Sequence, residues 1–165
     1  MQLVVLGLNH KTVPVDIREQ FAISPDSARS GLIHLDEQEG VEEAVVLSTC
    51  NRTEIYAVLK DETAKETLYD FFLALSGNSE AKDEYFFYFE GEACIRHLFE
   101  VVSGLDSMVI GESQILNQIK TAYTMALEEK ATRTILNTLF HRAIRTGKRV
   151  RTETQISYCH GLRGR

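Results

Sequence analysis

The hydrophobic period of this chain switches once, at Gly91, and that switch limits the architecture more than any other feature. Before it, apolar runs of strand length alternate with helical stripes; after it, apolar residues recur only at helical spacing. Residues 2–9 read as a first strand. Ser24-Pro25-Asp26 then opens a helix, with Ser at the cap and Pro at the first position. Ala28, Leu32, Ile33 and Leu35 give it an apolar stripe. Residues 45–47 and 55–59 read as two more strands, the second β-branched and aromatic. Asp61-Glu62-Thr63 opens another helix, with Leu68, Phe71, Phe72 and Leu75 on one face and a stop at Ser76-Gly77-Asn78. Residues 85–89, Tyr-Phe-Phe-Tyr-Phe, read as the last strand. The order β-α-β-β-α-β predicts a ferredoxin-like subdomain over residues 1–90, its antiparallel sheet covered on one face by two helices. Residues 91–155 predict a helical subdomain, and 156–165 a tail that is disordered or non-native. The expected fold class is α+β.

The chain of 165 residues suffices for one domain with a sizeable core or for two small subdomains. No run of 18 apolar residues occurs, which argues against a membrane span. The N-terminus lacks a basic leader and reads as a strand rather than a signal peptide, so the expected location is the cytoplasm. Cys50, Cys94 and Cys159 are odd in number, widely spaced and without a CxxC, which excludes a disulfide scaffold and a Cys-rich zinc site. No metal is expected. The net charge of −6 is uneven: residues 1–130 carry 10 Lys/Arg against 23 Asp/Glu, and residues 131–165 carry 8 against one. The basic end is either a surface for a polyanion or a solvated helix face.

Between the second and third strands lies Ser48-Thr49-Cys50-Asn51-Arg52-Thr53-Glu54, a polar link without Gly or Pro and so unlike a tight hairpin. A thiol held at a strand end is exposed to substrate, and nearby positive charge such as Arg52 favours its thiolate. Arg52 is equally suited to an anionic substrate, since its planar fork matches a carboxylate. The plainer alternative is an inert, buried Cys50; its polar neighbours argue against an apolar pocket.

Ala93, Cys94, Leu98, Val101 and Val102 line the first helix of the second half, which makes Cys94 a core residue. His97 sits on that helix as either a packed side chain or, if it approaches Cys50, an acid–base group. Residues 104–114 form a loop bracketed by glycines that enters a helix. Its Ser107, Glu112 and Gln114, with Gln118 one turn on, are either a polar ligand site or helix capping. Arg142, Arg145, Lys148 and Arg149 lie mostly off the apolar stripe of the last helix.

Taken together, these motifs resemble glutamyl-tRNA reductase. Gly7-Leu8-Asn9-His10-Lys11-Thr12 is similar to the opening of that family. Residues 47–54, Leu-Ser-Thr-Cys-Asn-Arg-Thr-Glu, resemble its signature around the nucleophile. His97-Leu98-Phe99, Gly104-Leu105-Asp106-Ser107, Gly111-Glu112, Gln114-Ile115-Leu116 and the segment 148–154 follow in the family's order. The resemblance spans residues 3–155.

The resemblance implies that glutamyl-tRNA(Glu) is the substrate, that Cys50 attacks its ester to form a thioester, and that NADPH then yields glutamate-1-semialdehyde for tetrapyrrole synthesis. It implies His97 as the histidine needed for reduction and Arg52 as the clamp on the glutamate side-chain carboxylate. Thr49, Asn51, Ser107, Glu112, Ser113, Gln114 and Gln118 would line the glutamyl pocket. It also implies a homodimer and the downstream glutamate-1-semialdehyde aminomutase as a partner, with the basic helix near RNA phosphates.

Ser113 stands where the family usually has proline, and Asn117 where it often has glycine. No GxGxxG occurs, so the NADPH and dimerisation domains are expected to lie outside this chain, which would form the thioester and slowly hydrolyse charged tRNA without reducing it. Two rival readings remain. One is a thiol esterase using Cys50 and His97; the other is a non-enzymatic RNA-binding module reading RNA with the aromatics of residues 85–89.

Overall fold

The computed structural model describes residues 1–106 and 114–153. Four strands, β1 (Gln2–Asn9), β2 (Val41–Ser48), β3 (Arg52–Leu59) and β4 (Phe87–Glu90), form one antiparallel sheet in the order β2-β3-β1-β4. That order, with helices in the β1–β2 and β3–β4 connections, is the split βαβ arrangement expected from the sequence. The helices are α1 (Val15–Gln20), α2 (Pro25–Ile33), α3 (Lys65–Ser76), α4 (Glu92–Val102), α5 (Gln114–Glu128) and α6 (Thr134–Glu153). Ser24 caps α2 by accepting a hydrogen bond from Ser27 N, and Pro25 sits in its first turn. Gly77 ends α3 in the left-handed conformation. None of these described helices is long and apolar enough to cross a membrane.

The sheet is covered on both faces, not one. Every residue of β3 is buried, as is β1 from Val4 to Leu8. Phe86 of the strand entry packs edge-on against Phe72 and Tyr69 of α3, while on the opposite face Tyr56 packs against Phe140 of α6 and His97 of α4. The physical cause is in the sequence: a half-solvated strand alternates apolar and polar, whereas Val4-Val5-Leu6 and Ile55-Tyr56-Ala57-Val58-Leu59 do not. Phe87 and Phe89 of the edge strand lie against His97, with Phe89 left exposed and both rings lining the cleft beside the imidazole.

The polar link also differs from expectation. It is a short hairpin: Arg52, Thr53 and Glu54 belong to β3, Ser48 pairs with Thr53, and Thr49 N donates to Arg52 O at 2.8 Å. Only Cys50 and Asn51 form the tip. Thr49 Oγ1 accepts from Asn51 N at 3.2 Å, so a side chain does the closing work usually left to Gly. The last strand starts at Phe87 rather than at residue 85, because Tyr85 belongs to a 3-10 turn.

Candidate active site

Residues 52, 54 and 56 alternate onto the sheet face that meets α4–α6. That alternation carries Arg52 and Glu54 into the interior, at 2% and 0% side-chain exposure. Arg52 Nη1 donates to Glu54 Oε1 and to Asp106 Oδ2, each at 3.0 Å, and Nη2 donates to the Asp106 carbonyl. Lys11 Nζ contacts the other oxygen of Asp106. Glu54 Oε2 accepts from Tyr56 Oη at 3.2 Å and lies 2.6 Å from His97 Nε2. Arg52, Glu54, Asp106 and Lys11, with His97 at one end, therefore form a continuous polar chain through the core.

The charges are balanced within the chain. Burial alone would push the Glu54 carboxyl up, but the His97 hydrogen bond and the adjacent Arg52 guanidinium hold it below its ordinary value. Burial likewise opposes ionisation of Asp106, and Lys11 and Arg52 outweigh it. A carboxylate can only accept, so His97 uses its Nε2–H on Glu54 and keeps Nδ1 as its remaining nitrogen. The imidazole lines a cleft of about 410 Å³ with Lys11, Arg96, Glu100 and Asp106.

Gly7 faces Glu54 directly across the sheet. A Cβ there would come within 2.8 Å of Glu54 Cγ and 2.7 Å of the Thr53 carbonyl. The glycine thus makes room for the buried carboxylate.

Cys50 is exposed at the hairpin tip. Its carbonyl accepts from Arg18 Nε at 3.3 Å, and Arg18 Nη1 donates to the Val13 carbonyl at 2.9 Å. Thr49, Cys50, Asn51, Arg52, Gln114 and Gln118 share one recess, so the hairpin and the first turn of described α5 meet there. Next to it lies a cleft of about 370 Å³ that shares Gln114 and Gln118. His97 lies beyond the buried Arg52–Glu54 pair, and among the described residues no hydrogen bond joins it to Cys50. Ser107, Glu112 and Ser113 lie outside the described residues. Cys94 is fully buried, and burial together with Glu54 pushes its thiol up to about 12.

Several site residues were not singled out by sequence reasoning. Glu54 carried a legible signal, since it is two residues from Arg52 in a strand and so shares its face. Asp106 carried none, being 54 residues away in sequence. His10 donates its backbone N–H to the Asn51 carbonyl at 3.1 Å, and its Nδ1 is buried without a partner. Burial, with Arg52, Lys11 and Arg18 against Asp106, lowers the basicity of that ring. Asn9 Oδ1 accepts from Lys11 N at 2.9 Å, and this turn sets both His10 and Lys11 in place.

A family model described as glutamyl-tRNA(Glu) reductase, N-terminal domain, matches residues 6–154. The chain belongs to this family. A glutamyl-tRNA reductase of Rubrobacter xylanophilus is 48% identical over 159 residues, which cover 94% of this chain and 37% of the relative. One from Pelobacter propionicus is 46% identical, covering 95% of this chain and 36% of its own length. The solved glutamyl-tRNA reductase from Methanopyrus kandleri matches with a TM-score of 0.78 at 35% identity, over 94% of this chain and 35% of that one. The chain thus spans little more than a third of the length of these glutamyl-tRNA reductases.

Glutamyl-tRNA reductases depend on NADPH. A dinucleotide site of the usual kind needs a parallel βαβ unit and a GxGxxG turn. The sheet described here is antiparallel and the sequence holds no such turn, so these residues do not fit that cofactor. Among the described residues no group of three His, Cys, Asp or Glu side chains could hold a metal ion.

Proposed function

We propose that this chain is the glutamyl-binding, thioester-forming portion of a glutamyl-tRNA reductase that serves tetrapyrrole synthesis. The observation that carries the reading is an exposed Cys50 at the hairpin tip, sharing a recess with Gln114, Gln118 and Arg52. Cys50 Sγ attacks the ester carbonyl carbon of glutamyl-tRNA(Glu). A C–S bond forms, the C–O bond to the terminal ribose breaks, and the thiol proton passes to the ribose oxygen.

The glutamyl group lies along Thr49, Asn51, Gln114 and Gln118, and we assign Ser107, Glu112 and Ser113 to the same pocket. Arg52 takes the side-chain carboxylate. Its fork already holds Asp106, so the substrate carboxylate replaces Asp106 while Glu54 keeps the guanidinium oriented. His97 is assigned to the reduction side of the pocket. It lies beyond the buried Arg52–Glu54 pair with its Nε2–H held by Glu54, and no hydrogen bond among the described residues joins it to Cys50, which favours the reductase over a thiol esterase of Cys50 and His97. No hydride-transfer step is assigned to these residues. We divide the work between residues 1–90, which carry the nucleophile, and 91–155, which complete the pocket. The exposed Arg142, Arg145 and Lys148 of α6 provide a basic face for RNA phosphates.

Deacylation kinetics test the reading. The chain should discharge glutamyl-tRNA faster than its Cys50→Ser variant does, and faster than it discharges tRNA carrying an amino acid with a neutral side chain. Equal rates on all esters would instead favour the esterase.

A further inference from the structure

We propose that the neutral cleft between α2, β2 and α5 is a nucleobase subsite, which takes the adenine at the 3′ end of the transfer RNA. The proposal rests on the thioester reading above and assigns a second half to the same site.

The cleft is distinguished by what it lacks. It has about 370 Å³ of space, and among the described residues none that lines it is Lys, Arg, Asp, Glu or His. Ile23, Pro25 and Ala28 on one side and Met125 on the other form apolar walls. Gln114, Asn117 and Gln118 present carboxamides from successive turns of α5 along one edge. A glutamyl group carries an ammonium and a carboxylate, and a phosphate carries at least one negative charge; both would be desolvated there without a counter-charge. A flat, neutral heteroaromatic ring fits: its faces bury against the apolar walls and its donor–acceptor edge meets the carboxamides, which pair well with adenine.

Position then selects the occupant. The cleft shares Gln114 and Gln118 with the Cys50 recess, and Ser48 of its wall is two residues from the thiol. An ester poised over Cys50 must send its acyl group and its alcohol group in different directions. The charged acyl group belongs with Arg52. The alcohol is a ribose carrying adenine, and the adjoining neutral cleft accepts it. Ser48 Oγ is already engaged by Ile23 N at 3.0 Å and by Thr53 Oγ1 at 3.3 Å, so it forms wall, and the amides of α5 face the base.

The test compares two small esters under single-turnover conditions: 2′(3′)-O-glutamyl adenosine and the 2′(3′)-O-glutamyl ester of methyl riboside, which has the same leaving group without the base. Stacking and edge contacts to one base predict that the adenosine ester acylates Cys50 roughly tenfold faster or more. Thr121→Trp, at an exposed position on the rim, and Ala122→Phe, deeper in the cleft, should each bring that ratio toward one while the riboside rate stays unchanged. Thr121→Trp guards against a folding defect in the buried variant, and thermal melts check both. A ratio near one in the unaltered chain with a competent riboside ester overturns the subsite and leaves the thiol reading intact. A large ratio that survives both substitutions also overturns it. Failure of both esters to acylate Cys50 overturns the thiol reading and the subsite together.

Discussion

Glu54 Oε2 and His97 Nε2 lie 2.6 Å apart, and this contact ties strand β3 to helix α4 inside the protein. The same carboxylate holds Arg52 through its other oxygen, so one buried side chain orients the cation behind the thiol and the imidazole beyond it. Glu54→Gln keeps the shape and removes the charge. Uncoupling a buried ion pair in this way should cost about 3–5 kcal/mol. A lowered denaturation midpoint at unchanged slope would register it. A cost below about 1 kcal/mol would mean that the chain of charges contributes little to stability.

Gly7→Ala should be destabilising although strand geometry tolerates alanine. The added Cβ meets Glu54 Cγ, the Thr53 carbonyl and the Phe87 ring, all at 3.0 Å or closer. Overpacking of this kind costs about 1–3 kcal/mol. For a chain of this size each kcal/mol lowers Tm by about 2–4 °C. An unchanged Tm would contradict the close approach of Glu54.

Acid should weaken the fold in two stages. The His10 ring is held below its ordinary value of 6.5, so the unfolded chain takes up that proton first and stability begins to fall as pH drops below that value. Glu54 and Asp106 are held below 4.5 and 3.8, so their contribution is complete above those values and is lost as pH falls through the lower folded ones. Stability measured from pH 7 to pH 3 should therefore decline throughout, most steeply at the acid end. Asp106→Asn should flatten the acid limb, and an acid limb unaltered in that variant would remove Asp106 from the account.

The two described cysteines should differ sharply toward an alkylating reagent. Cys50 is exposed at the hairpin tip, while Cys94 is buried with its thiol pushed up to about 12. Peptide mapping of the folded chain after brief iodoacetamide treatment should find Cys50 modified and Cys94 intact. Modification of Cys94 before Cys50 would contradict the burial.

The sequence made the strand order and the helical second half readable because period and caps are local signals, as at Ser24-Pro25 and Gly77. It made Cys50 stand out because a thiol among Thr49, Asn51 and Arg52 has no packing reason to be there. What stayed hidden was set by pairing across the fold. The burial of Arg52 depends on Asp106, and the covering of the second sheet face depends on how α4–α6 dock. The continuous apolar runs of β1 and β3 did carry that second fact, since a strand with one wet face alternates. The polar link concealed the hairpin because Thr49 closes it by a side-chain bond that propensity rules do not anticipate.

The most direct measurement is a single-turnover reaction of the chain with glutamyl-tRNA carrying labelled glutamate, quenched in acid and read by intact mass and peptide mapping. The account predicts label on Cys50, lost in Cys50→Ser and released by hydroxylamine as a thioester should be. A folded chain that carries no label while the tRNA remains charged would contradict it.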